Sequence, residues 1–159
     1  MMIKLKAEAP KILVVDDEKN YRIILSRLLE GSGYQVLLAD SPDSAMSILR
    51  QEQVSLILSD LRMKNVDGLN FCRQVLAEIG QIPCVVFSAS ASEYSKQEIK
   101  KAGIHHCLIK PFRNQDVLRL VNDLLAQPFD ALPIETVHDR IEKPGLPGAS
   151  LLPEENKIS

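Results

Sequence analysis

Asp60 closes an uninterrupted apolar run, Ser55-Leu56-Ile57-Leu58-Ser59-Asp60-Leu61, and Asp16 and Asp17 close a second run of the same design, Ile12-Leu13-Val14-Val15. A run without polar alternation reads as a strand covered on both faces, so each carboxylate stands where a buried strand emerges into solvent. Three carboxylates gathered in one place repel one another, and without a partner at least one takes up a proton. A bound cation removes that conflict, and all-oxygen ligation with room for water suits Mg²⁺. Ser88 and Lys110 close two later apolar runs and would bring a hydroxyl and an ammonium to the same place. A cation, a carboxylate nucleophile, a hydroxyl and an ammonium make a phosphoryl-transfer site: the carboxylate becomes an acyl phosphate while the positive charges neutralise the group in transit. Asp60, ending the central run, is best placed as nucleophile. Asp16 and Asp17, adjacent in one loop, are better placed to hold the metal directly and through water. For Asp17 alone, capping the next helix is the simpler reading; for three acids with Ser88 and Lys110 converging, it is not.

Five strands and five helices in strict alternation must position these residues. The pattern predicts strands over 11–15, 34–39, 55–61, 82–87 and 104–109. The first helix, over 18–30, carries Tyr21, Ile24, Leu25 and Leu28 at the spacing of one face and stops at Gly31 and Gly33. The second opens with Ser41 as N-cap and Pro42 in the first turn, points Ala45, Ile48 and Leu49 inward and ends near Gln51. A loop over 62–67 closes on the turn pair Asp67-Gly68. The third helix follows, marked by Leu69, Cys72, Leu76 and Ile79 and ended by Gly80. The fourth, over 92–102, has few apolar members (Tyr94, Ile99, Ala102) and is expected to be weakly anchored. The fifth uses Val117, Leu120, Val121 and Leu124 and ends near Ala126.

Parallel neighbours require crossover connections, so this alternation implies an α/β fold with a five-stranded parallel sheet and helices on both faces. The expected form is the doubly wound, flavodoxin-like (βα)5 order 2-1-3-4-5. In that order the first and third strands are neighbours at the topological switch point, the usual place for a ligand crevice. Asp16, Asp17 and Asp60 then meet there, with Ser88 and Lys110 at its border.

With 159 residues and 45% hydrophobic content, one folded domain is expected, over 10–127, behind a polar leader over 1–9. The remainder, 128–159, holds five of the nine prolines and six acids against three bases, and reads as a flexible tail or linker. It is too short and acidic for a DNA-binding module. Net charge is −2, so bulk electrostatics propose neither nucleic acid nor membrane as partner. No stretch approaches the roughly 20 apolar residues of a bilayer span, and a cytoplasmic location is expected. Cys72, Cys84 and Cys107 are odd in number with no close pair in the sequence, so each reads as a small buried side chain. His105 and His106 are adjacent, would point to opposite faces of a strand, and cannot share one metal.

The set Val14-Val15-Asp16-Asp17-Glu18, Ser59-Asp60-Leu61-Arg62-Met63 with Asp67-Gly68, Ser88-Ala89 and Lys110-Pro111-Phe112 resembles the receiver domain of bacterial two-component response regulators. The resemblance spans roughly residues 10–127 in the family's order, and the motifs are specific jointly rather than singly. It implies that Asp60 is the phosphoacceptor and that Mg²⁺ sits on Asp16, Asp17, Asp60 and the backbone carbonyl of Arg62. It further implies that Ser88 and Lys110 contact the phosphoryl oxygens and that a sensor histidine kinase or phosphotransfer protein is the donor. The output would be contact with an unidentified downstream protein. On this reading the chain is a self-phosphorylating and self-dephosphorylating switch rather than an enzyme; a homodimer through the fourth and fifth helices is common in the family.

Two positions depart from the family pattern. Cys107 stands three residues before Lys110, where the family has Tyr or Phe, which predicts a weakened switch or one run mainly through Ser88 and the loop after it. Lys64 stands where Pro often follows Met63, which predicts a looser loop. Three rival readings remain: a Mg²⁺-dependent phosphohydrolase, a phosphorylation-independent binding module, and the receiver portion of a longer transcription regulator. The hydrolase reading needs a second acid just beyond the nucleophile, and Arg62 stands two residues after Asp60. The longer-regulator reading rests on Asp60-Leu61-Arg62-Met63, which resembles receivers attached to ATPase-type activators.

Overall fold

A computed structural model describes residues 9–64, 66–89 and 94–126. Most of the expected leader, the first residues of the expected fourth helix and the whole of 128–159 lie outside them. The sheet strands are β1 (Lys11–Val15), β2 (Gln35–Ala39) and β3 (Leu56–Asp60), and the helices between them are α1 (Lys19–Glu30) and α2 (Pro42–Gln51). After β3 come two short strands, β4 (Arg62–Met63) and β5 (Val66–Asp67), then α3 (Gly68–Glu78), β6 (Cys84–Ser88), α4 (Lys96–Lys101), β7 (His106–Ile109) and α5 (Asn114–Ala126). The main sheet is parallel in the order β2-β1-β3-β6-β7, the expected 2-1-3-4-5 once the short pair β4–β5 is set aside. All residues of β3 and β6 are buried, as central strands covered on both faces must be.

Alternate residues feed two cores. Ile12, Val14, Leu56, Leu58, Val85 and Phe87 pack with Leu25 and Leu29 of α1 and Val117, Leu120, Val121 and Leu124 of α5. Leu13, Val15, Ile57 and Val86 pack on the other side with side chains of α2, α3 and α4. Among the described residues no helix is long and apolar enough to cross a membrane.

Several local expectations shift. In α1 the buried residues are Leu25 and Leu29, whereas Ile24 is 53% exposed. In α3 Phe71, Cys72 and Val75 are buried while Leu76 sits at the surface and Ile79 is already the C-cap. Both helices carry apolar residues round more than half their circumference, and the sheet rather than the period selects the buried arc. In α2 Met46 joins Ala45 and Leu49 in the core, and Ile48 is only partly buried.

The loop after β3 is more ordered than a turn pair. β4 and β5 form an antiparallel ladder, Arg62 opposite Asp67, and Asp67 N-caps α3 by accepting the Leu69 N–H at 2.9 Å. Helix α4 begins at Lys96 rather than Ser92, because Ser95 forms a capping box with Glu98; Tyr94 precedes the helix. The cysteines are all buried, but Cys72 and Cys84, distant in sequence, bring their sulfurs to 3.3 Å across the α3–β6 contact. The hydrogen bond to Cys84 and burial hold the Cys72 thiol well above its ordinary pKa.

Candidate functional site

The carboxyl ends of β1 and β3 are hydrogen-bonded neighbours, Val15 beside Ser59, so the residue after each strand opens into one crevice. Asp16, Asp17 and Asp60 each place a carboxylate oxygen there, all within 4.8 Å of one another. Their environments differ. Asp16 is fully buried; its Oδ1 accepts the Glu18 N–H at 2.9 Å, while its Oδ2 is buried with no hydrogen-bond partner. Asp17 is the least buried of the three, and its Oδ2 accepts the backbone N–H of Lys64 at 2.7 Å. Lys64, where the family often has proline, supplies a donor that proline lacks, and the donor ties its loop to Asp17. Asp60 is 7% exposed; its Oδ1 lies 3.5 Å from Lys110 Nζ and 3.4 Å from the Arg62 N–H that donates to it.

Burial pushes the Asp16 carboxyl up to about 6, helped by the negative charges of Asp60 and Asp17 and opposed by the Glu18 N–H and Lys110. Asp60 is also raised, first by burial, with Lys110 and the Arg62 N–H pulling it back. A buried carboxylate oxygen without a donor, beside two more carboxylates, is costly unless a cation or proton satisfies it. The set is all oxygen, mixes buried and exposed members and leaves an open side, which fits a hydrated divalent cation such as Mg²⁺.

The other border comes from β6 and β7. Phe87 pairs with Asp60 across the sheet, so Ser88, buried, follows one residue beyond it. The Lys110 N–H donates to the Ser88 carbonyl at 2.8 Å, fixing the backbone from which the Lys110 side chain reaches Asp60. The structure thus brings Asp16, Asp17, Asp60 and Lys110 into direct proximity, sets Ser88 at the neighbouring strand end, and holds the Arg62 backbone in the short ladder.

Two contributors were not singled out from the sequence. The Tyr21 ring carries Lys110 Nζ 4.5 Å from its centroid, a cation–π contact that steadies the ammonium between ring and carboxylate. Gly68 is the second: a Cβ there would stand 2.5 Å from the Asp60 carbonyl oxygen and 2.8 Å from Leu61 Cα, so only glycine lets α3 start against the backbone of the central acid. The Asp67-Gly68 pair flagged the place but read as a turn; the close approach to Asp60 is tertiary.

Comparison with known proteins agrees with this fold. The family model described as response regulator receiver domain matches residues 12–122. Protein PilH of Pseudomonas aeruginosa is 31% identical over 118 residues, covering 73% of this chain and 98% of that protein. Transcriptional regulatory protein ZraR of Salmonella typhimurium is 39% identical over 100 residues, 63% of this chain but only 23% of that protein, so the chain matches less than a quarter of it. Among solved structures, chemotaxis protein CheY4 of Vibrio cholerae superposes with a TM-score of 0.69 at 28% identity, over 74% of this chain and 99% of its own.

Proposed function

Since the chain belongs to the response regulator receiver domain family, we propose that it is a phosphorylation switch whose phosphoacceptor is Asp60. The supporting observation is the Asp60 carboxylate, held 3.5 Å from the Lys110 ammonium within the three-acid cluster. A carboxylate oxygen of Asp60 attacks the phosphorus of a donor phosphohistidine or of acetyl phosphate. The P–N or P–O bond to the leaving group breaks as the acyl phosphate forms. Lys110, fixed by Tyr21, is positioned to neutralise charge on the transferred group, and Ser88 contributes a hydroxyl to its oxygens.

Asp16, Asp17, Asp60 and the Arg62 carbonyl are the proposed Mg²⁺ ligands. When bound, the ion supplies positive charge to the transferring phosphoryl group. The unpartnered Oδ2 of Asp16 supports this assignment.

The donor is proposed to be a sensor histidine kinase or phosphotransfer protein in the cytoplasm, and the output contact with a downstream protein, without direct nucleic-acid or membrane binding by this chain. The receiver unit is assigned to 10–127, with 1–9 as leader and 128–159 as tail or linker. The match to less than a quarter of ZraR favours a second reading, that this receiver acts within a longer regulator.

The test is intact-protein mass spectrometry after acetyl phosphate and Mg²⁺. A single phosphoryl adduct is expected on the native chain and none on Asp60→Asn; an adduct on that variant would sink the assignment. Multiple-turnover hydrolysis of small phosphate esters would point instead to a phosphohydrolase.

A further inference from the structure

Asp67 does two things with one oxygen. Its Oδ1 accepts the Leu69 N–H that caps α3 and, at 2.7 Å, the hydroxyl of Tyr94. Tyr94 is half-buried, packs against the core on the α3 side, and directly precedes Ser95, whose capping box with Glu98 opens α4. On its other side Asp67 is tied to the backbone that follows Asp60. It pairs with Arg62 in the short ladder, and the N–H of the next residue, Gly68, donates to the Leu61 carbonyl at 2.8 Å. The room at Gly68 is so small that a Cβ would overlap the Asp60 carbonyl oxygen. A shift of the Asp60–Leu61 backbone must therefore move Gly68 and Asp67, because a packed contact has no slack to absorb it.

The receiving end is easily moved. Helix α4 has six residues, and Ile99 is its buried side chain. With so little apolar anchoring, a single hydrogen bond is a sizeable share of what holds the helix start. Cys107, three residues before Lys110, is a small buried side chain of the same core and offers no ring or hydroxyl for this purpose.

We propose that the Tyr94–Asp67 hydrogen bond holds α4 in its unmodified position, and that modification of Asp60 releases it through Leu61, Gly68 and Asp67. Tyr94 is then a positioning residue acting through Asp67, not a group that touches the phosphoryl. The inference rests on Asp60 being the modified residue, as proposed above.

The chain has three tyrosines, so 3-fluorotyrosine labelling gives three ¹⁹F lines, and Tyr94→Phe identifies the one from Tyr94. Addition of Mg²⁺ and beryllofluoride to the native chain is expected to shift that line and to speed amide exchange across 95–104. Tyr94→Phe keeps the ring and removes only the hydroxyl. It should show about fivefold faster exchange in α4 without beryllofluoride, the effect of one lost hydrogen bond, and little further change when beryllofluoride is added. Asp67→Ser, which keeps a cap for α3 but shortens the reach to Tyr94, should behave alike. An unmoved Tyr94 line with beryllofluoride bound, or native exchange rates in both variants, overturns the proposal while leaving Asp60 as phosphoacceptor intact. An adduct that still forms on Asp60→Asn removes the reading beneath it as well.

Discussion

The two borders of the crevice are built differently. On the β1–β3 side, Asp16 and Asp60 follow or end strands buried on both faces, and α3 starts hard against the Asp60 backbone. On the β6–β7 side, β7 is only partly buried toward its end, the lysine reaches in from a loop, and the adjoining helix has six residues. The first border holds three carboxylates within 4.8 Å of one another. The second carries Ser88 and Lys110, the proposed contacts of the transferred group. Elements that move are drawn from the weakly packed part of a fold, and here that part lies one strand away from the chemistry.

The comparison can be broken or sharpened by substitution. The largest effect is expected at the fixed border: Asp60→Asn should abolish adduct formation in the mass-spectrometric assay without unfolding the chain. Gly68→Ala should destabilise the protein by about 3 kcal/mol, because the new methyl meets backbone rather than a flexible side chain. Urea unfolding checks this, and a change of a few tenths would show the first border to be less rigid than its contacts imply.

The cation site should yield a smaller, pH-dependent effect. Asp17→Asn is expected to weaken Mg²⁺ binding by at least about tenfold. In the native chain, affinity measured by titration calorimetry should fall about tenfold per pH unit below about 6 as protons compete for Asp16, and level off above. The sign for stability follows from the same raised value. Without metal, the contribution of Asp16 is fully present below its unfolded-chain value of 3.8 and is lost as pH rises through about 6. Saturating Mg²⁺ should reverse that loss.

The smallest effect belongs to the second border. Ser95→Ala should cost about 1 kcal/mol, seen as faster amide exchange in α4 with little change in global unfolding. Ser41→Ala, which removes the corresponding cap from α2 in the main core, should lower global stability instead. Equal behaviour of the two caps would remove the distinction between the borders.

Much of this was legible beforehand. Two apolar runs ending in acid and five strand–helix alternations were enough to give the sheet order, and the motifs around Asp16, Asp17, Asp60, Ser88 and Lys110 carried the resemblance to the family. Local chemistry also placed the Ser41 cap and the inward face of α5. These features depend on residues close in sequence, or on a topology that parallel strands permit in few ways.

The buried arcs of α1 and α3 were not legible, because period alone cannot choose between Ile24 and Leu29 when both are apolar. The start of α4 is legible in principle, since Ser95 and Glu98 stand at capping-box spacing and Ser92 has no acid or amide three residues on.

What the sequence determined by itself was therefore the chemistry's components and the order of the strands that carry them. Tertiary structure alone decided how each component behaves. Burial raises the carboxyl of Asp16, and the Lys64 N–H reaches Asp17 across 47 residues of chain. The Tyr94 hydroxyl and the Gly68 backbone likewise meet the acidic loop only because the chain has folded. The reason is physical: residue type fixes what a group can donate, accept or ionise, but desolvation and contact depend on which distant segments surround it.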